Sequence, residues 1–269
     1  MESPFDLSKV WAMTRRDMLN WTSYKSQVFT SIAGALVGIF SWALLANYNA
    51  GTVPEYNTNF TTFLVTGVLI FSVIAPVSRG LDTRLGPWTL ETVLMTGLST
   101  PTFVLGTILW TYILAIVFFI PQLVVAIYVF NIQLSVNVIS LMAAVGISSL
   151  ILFSLSMVTA GIRIVTKVTD PVTWFLAVAQ GLFAGMTFPI QHLDSLYPGL
   201  STVCWFLPQT WVYHIIRLAT ITNASLPEPS VAPSFLGALV VGLVLLPVGL
   251  YVFRWGMRRA KRDGTIGFY

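Results

Sequence analysis

Charge is distributed along this chain so that most of it has only one environment open to it. Residues 26–54, 56–78, 171–193, 195–216 and 229–253 contain no Asp, Glu, Lys or Arg, and residues 92–162 form one uncharged stretch of 71. A helix crossing a bilayer needs roughly 20 predominantly apolar residues. The long stretch therefore holds two helices, and the polar cluster Asn131-Ile-Gln-Leu-Ser-Val-Asn137 is the break between them. Six spans are predicted, at about 28–48, 60–78, 102–130, 138–165, 171–190 and 235–253. With 9% charged residues and a mean hydropathy of +0.81, a soluble surface is excluded for a chain of 269 residues. The expected fold is an all-α polytopic membrane protein, with residues 1–269 forming one transmembrane domain.

Orientation follows from Lys and Arg, which accumulate on the cytoplasmic side. With the N-terminus inside, the six-span arrangement puts Lys9, Arg15, Arg16, Lys25, Arg79, Arg84, Arg163 and Lys167 in the cytoplasm. Arg254, Arg258, Arg259, Lys261 and Arg262 join them, which leaves only Arg217 outside. Both termini are expected to be cytoplasmic. The net charge of +4 is then an orientation signal and calls for no nucleic acid. The lone Cys204 allows no intramolecular disulfide, and His192 and His214 have no partners at metal-ligand spacing. No Gly-rich loop ending in Lys-Ser/Thr occurs, so ATP binding of that type is not expected in this chain. The first apolar run, from Val28, is too long for a signal-peptide core.

Residues 4–27 read as an amphipathic helix in the headgroup plane. Leu7, Trp11, Thr14, Met18 and Trp21 fall on one stripe, with Asp6, Lys9, Arg16, Asp17 and Asn20 facing away. The first span carries Gly34-x-x-x-Gly38, and the fifth repeats small residues four apart at Ala177, Gly181 and Gly185. Such stripes let helix backbones approach closely in lipid, either between two copies or within one. Pro121 is expected to kink the third span or to start a second segment within it. The fourth span, rich in Ala, Gly and Ser, suits a helix packed on most sides.

Two regions outside the spans stand out. Residues 81–98 combine Pro87 in a first helical turn, Glu91 near the positive end of the helix, and Leu90, Leu94 and Leu98 on one face. Thr89, Thr92 and Thr96 fall on the other, so this is a short two-faced helix at the inner surface. Residues 191–222, entered through Pro189 and interrupted by Pro198 and Pro208, have apolar pieces too short to cross. They are expected to dip into the outer leaflet as two short helices and return. Arg217 within them has two readings, snorkelling to headgroups or binding an anionic group near an outer exit.

In order and spacing these features resemble the membrane subunit of a type-2 ATP-binding-cassette exporter. Gly86-Pro-Trp-Thr-Leu-Glu91, followed by Pro101, is similar to that family's Gly-Thr-Leu-Glu segment. Phe188-Pro-Ile-Gln-His-Leu-Asp194 and Leu207-Pro-Gln-Thr210 resemble its outer re-entrant pair. Pro87-Trp88 and Asp194 depart from the family pattern. The resemblance implies that residues 81–98 form a cytoplasmic coupling helix in which Arg84, Gly86, Thr89, Leu90, Glu91, Leu94 and Thr96 meet a separate ATPase subunit. It implies a second copy, or a homologous permease, across the Gly34, Gly38, Ala177, Gly181 and Gly185 faces. Pro189, Pro208 and Arg217 would shape the outer re-entrant region. ATP and Mg would be bound by the partner ATPase, with no cofactor, metal or catalytic residue in this chain. The expected role is export of an amphiphilic substrate (a drug, a lipid, or a polysaccharide or its lipid-linked precursor) across the plasma membrane. The other readings are an intramembrane lipid-modifying transferase and a scaffold without transport.

Overall fold

A computed structural model describes residues 7–49, 51–81, 100–166 and 171–263. The helices are α1 (Leu7–Ser23), α2 (Lys25–Tyr48), α3 (Phe60–Ser78), α4 (Thr100–Tyr128) and α5 (Val138–Thr166), followed by α6 (Pro171–Phe183), α7 (Leu200–Cys204), α8 (Pro208–Thr220) and α9 (Ala232–Arg262). Five of them, α2, α3, α4, α5 and α9, are long and apolar enough to cross a membrane. The chain is thus an all-α multi-pass membrane protein. The only sheet among the described residues is a two-stranded hairpin joining α2 to α3, with Thr52 opposite Asn59 and Val53 opposite Thr58.

The end of the bundle that carries this hairpin also holds the starts of α5 and α9. Asn137 N–H donates to the Ala219 carbonyl, and Leu226 N–H donates to Ser140 Oγ, which ties the α8–α9 connection to the first turn of α5. The opposite end, where α9 finishes in Arg254–Arg262, is the basic end. There Met13 of α1, Phe103 and Ile108 of α4, Ile164 of α5 and Phe253 and Met257 of α9 form one apolar cluster.

The pairing of α5 with α9 is the backbone of the bundle. A Cβ at Gly242 would meet Leu150 at 2.9 Å, one at Gly249 the Ser154 carbonyl oxygen at 2.6 Å, and one at Gly161 the Val252 carbonyl oxygen at 2.6 Å. Gly256 rests on the Gly161 carbonyl. Contacts advance in the same direction along both helices, so α5 and α9 run parallel. Three α9 glycines spaced by seven residues, each facing α5, bring the two backbones together where lipid offers no hydrophobic drive between helices.

Several elements differ from the sequence expectation. The segment expected to span at 171–190 is a 13-residue helix, about 20 Å long. Beyond Phe183 the chain leaves the helix, Gly185 takes a φ of +79°, and a 3-10 turn, Ile190–Ser195, follows Pro189. Pro121 lies inside an uninterrupted α4. The last span does not stop near residue 253, because α9 continues as one helix through the basic tail.

The N-terminal helix buries a face turned from the expected one, with Thr14 common to both and Trp21 also in contact. Val10, Met13, Thr14 and Asp17 are buried, whereas Trp11 is 57% exposed and Leu7 and Met18 are exposed too. Met13 and Thr14 meet Gly106, while Trp21 reaches Trp110 and Phe118, so α1 runs alongside α4 and not flat across its end. Asp17, expected to face away, is 3% exposed, because it follows Met13 and Thr14 by four and three residues on the face that meets α4. Its carboxylate lies 3.0 Å from Arg16 Nη2.

Candidate functional site

At the hairpin end the chain between α6 and α9 folds back on itself, and Arg217 sits at the centre. Three residues before the end of α8, it is 1% exposed. Its guanidinium donates through Nη1 to the Gly185 carbonyl and through Nη2 to the carbonyls of Met186, at 2.9 Å, and Phe63, at 3.1 Å. The cation lies 3.7 Å from the centroid of the Phe63 ring, with Tyr213 and Tyr56 at 5.6 Å and 5.9 Å. Among the described residues no carboxylate forms an ion pair with it.

The reason for this arrangement lies in the backbone of 184–189. A chain that leaves the helix within a membrane-embedded bundle strands its carbonyls without intrahelical donors, and no lipid replaces them. A guanidinium carries five N–H donors in a fixed fork and accepts nothing. Arg217 therefore serves as the donor for the unwound stretch, and by reaching Phe63 it ties that stretch to α3. Gly67 completes the fit, since a Cβ there would collide with the Met186 carbonyl and stand 2.6 Å from Arg217 Nη2. Neither earlier reading of Arg217 describes this contact set, because its charge faces protein carbonyls and aromatic rings.

The surrounding shell joins every local element. His214 links the hairpin to α9 through Tyr56 Oη at 3.0 Å and Ser234 Oγ at 3.1 Å. Gln180 of α6 donates to Tyr213 Oη at 3.1 Å, and His192 Nδ1 lies 3.3 Å from Glu55 in the hairpin turn. Asp194 accepts from both the N–H and the hydroxyl of Ser201, so it anchors the start of α7. These bonds hold its carboxyl below the usual carboxylate range. Pro189 precedes the 3-10 turn and Pro208 opens α8, where a missing N–H costs nothing.

The small-residue faces divide into two kinds. Gly34 and Gly38 on α2 and Gly181 on α6 have nothing within 4 Å of a built Cβ; Gly34 is exposed, Gly38 borders a cleft against α3 and α4, and Gly181 borders the cleft against α2. Gly185, expected on the same stripe as Ala177 and Gly181, lies beyond the helix, is buried, and offers its carbonyl to Arg217. Between α2 and α6 runs a cleft of about 690 Å³, walled by Trp42, Leu45, Leu64, Ala177, Gly181 and Met186 and lined, among the described residues, by no charged side chain. A second, smaller cavity of about 300 Å³ lies between α3, α4, α5 and α8; the Ser148 hydroxyl on its wall has no hydrogen-bond partner among the described residues. Arg84, Gly86, Thr89, Leu90, Glu91, Leu94 and Thr96 lie outside the described residues. Among those described, no three His, Cys, Asp or Glu side chains come together as a metal site.

Sequence reasoning found Arg217 but not its partners. Phe63 and Gly67 carry no local signature, Gly185 read as part of a small-residue stripe, and the Arg217–Phe63 contact joins residues 154 apart. The α5–α9 seam was visible in principle, in the seven-residue spacing of Gly242, Gly249 and Gly256. Fold and site together define a multi-pass α-helical membrane protein with a folded-back cap at one end and an uncharged lateral cleft. No protein-family model and no curated protein matches the chain.

Proposed function

We propose that the chain is the membrane-spanning half of an ATP-driven exporter of the ATP-binding-cassette type, paired with a second copy or a homologous permease and with soluble ATPase subunits. The observation that carries this reading is the open small-residue face of α2 around Gly34, while Ala177 and Gly181 of α6 wall the cleft. Glycines spaced for close helix approach, with open space in front of them, suit a partner helix from another chain. The uncharged cleft beside them suits an amphiphilic or apolar cargo better than a strongly anionic one.

A sixth crossing is part of the proposal. Because α5 and α9 run parallel, the chain has to return from the basic end to the hairpin end between Thr166 and Ala219. We assign that return to α6 with the unwound 184–189, its broken end satisfied by Arg217. Both termini then lie on one side, which the cation distribution makes cytoplasmic, with the hairpin end outside. Residues 81–98 act as the coupling helix, and closure of the ATPases is passed through Glu91 to α3 and α4. ATP and Mg are held by the partner.

The test is purification through a C-terminal tag from the native host in mild detergent. A soluble chain bearing a Gly-x-x-x-x-Gly-Lys-Ser/Thr loop is expected in stoichiometric amount, and Glu91→Arg is expected to lose it. Recovery of the protein alone, or with membrane chains only, would overturn the proposal and turn attention to the transferase and scaffold readings.

A further inference from the structure

At the basic end a groove of about 760 Å³ runs between α4, α5 and α9. Its walls are apolar, with Leu105 from α4, Phe153 and Met157 from α5, and Leu250 and Met257 from α9. Three cations also line it: Arg254, Arg258 and Lys261. Their spacing of four and then three residues puts all three on one face of α9, the face that borders the groove. All three are exposed, and no described carboxylate lines the groove. The ion pair at this end of α9 joins Arg259 to Asp263, at 3.6 Å, and neither residue lines the groove.

Along α9 the order is informative. Leu250 and Phe253 lie toward the hairpin end, and the cations follow over the next two turns. From Leu250 to Lys261 the helix axis rises about 16 Å. An occupant satisfying the whole surface therefore carries negative charge at one end and aliphatic length at the other. In a membrane-spanning chain such a molecule is available in the adjoining leaflet. We propose that this groove is a binding site for an anionic phospholipid of the leaflet at the basic end, with its phosphate held by Arg254, Arg258 and Lys261 and its acyl chains lying along Leu105, Phe153 and Leu250.

A simple basic tail attracts anionic lipid through net charge and does not distinguish one cation from another. A site does. Here the three groove cations contribute and their neighbours on the same helix do not, and filling the apolar trough expels the lipid with every charge intact. Each groove cation near an anionic surface accounts for about a fivefold preference, and the three together for about a hundredfold.

The experiment extracts the full-length chain from mixed phosphatidylcholine and phosphatidylglycerol vesicles and counts retained lipid by mass spectrometry. Wild type is expected to retain phosphatidylglycerol over phosphatidylcholine. Arg258→Gln is expected to cut that preference about fivefold, and Arg254→Gln with Arg258→Gln and Lys261→Gln to abolish it. Leu105→Trp, which obstructs the trough, is expected to release the lipid, while Arg259→Gln with Arg262→Gln leaves retention unchanged. Equal losses from groove and off-groove cations, or no effect of Leu105→Trp, would reduce the site to a charged tail and overturn the proposal. Displacement of the lipid by inorganic phosphate alone would make it a free-anion site, also against the proposal. Unchanged lipid retention with loss of a co-purifying soluble chain in the groove variants would assign the cations to a protein partner instead.

Discussion

Arg217 is a buried cation whose partners are carbonyls and rings, and its cost in a membrane is offset by what it satisfies. Isolated, a buried guanidinium is expensive. Here it meets the carbonyls of Gly185, Met186 and Phe63 and the face of the Phe63 ring. A charge-assisted hydrogen bond contributes about 1.5–3 kcal/mol, and a buried acceptor left without a donor costs about 1–3 kcal/mol. Arg217→Met is therefore expected to destabilise the folded chain by roughly 3 kcal/mol or more, read as a fall in apparent melting temperature in detergent. Arg217→Lys keeps the charge, but its compact ammonium does not reproduce the fork, so it recovers only part of the loss. A melting temperature unchanged in Arg217→Met would show that the unwound stretch needs no donor. The cation itself stood out in the sequence as the single one that the six-span expectation puts outside. Its partners were not, because two of them sit 31 and 32 residues before it and the third 154 before it.

At the scale of elements, glycines with different surroundings separate structural seams from open faces. Gly161 and Gly256 lie where the α5 and α9 backbones touch, and their blocking neighbours are main-chain atoms that do not swing aside. Gly256→Leu is expected to cost about 1–3 kcal/mol through overpacking. Gly34→Leu on α2 is expected to stay within about 0.5 kcal/mol for the isolated chain. Comparing the two by thermal unfolding in detergent checks the parallel α5–α9 seam, and equal effects would contradict it. The positions of the long helices were legible because an uncharged run of about 20 residues is a local property. The continuity of α4 through Pro121 was not. A proline removes one hydrogen bond and crowds the preceding turn, but whether the helix breaks depends on the neighbours that hold it. The face of α1 was likewise undecided, since the stripe Leu7–Trp11–Thr14–Met18–Trp21 and the buried set Val10–Met13–Thr14–Asp17 overlap, and packing against α4 chooses between them.

For the whole molecule, the open face of α2 bears on assembly. Under the proposed pairing, Gly34→Leu with Gly38→Leu is expected to shift single-molecule photobleaching of a tagged chain from two steps toward one, with the monomer fold kept. An unchanged step distribution would remove α2 from the contact between copies. Gly185 does not belong to this surface, because it turns inward to Arg217. The basic end carries a separate surface, the cationic groove of α9, which depends on α4 and α5 for its apolar walls.

By itself the sequence determined that this chain lives in a bilayer, roughly where its long helices fall, and which segments are too short or too polar to cross. Those properties follow from the free energy of placing each residue in hydrocarbon or water, which depends on the residue and its near neighbours. Tertiary structure decided that α6 stops at Phe183, that Asp17 is buried, that Gly34 and Gly38 stay open, and that Arg217 donates to Gly185, Met186 and Phe63. Each of these turns on which backbone groups lack a partner and which surfaces come within contact. Satisfaction of that kind is settled only when segments distant in the chain meet.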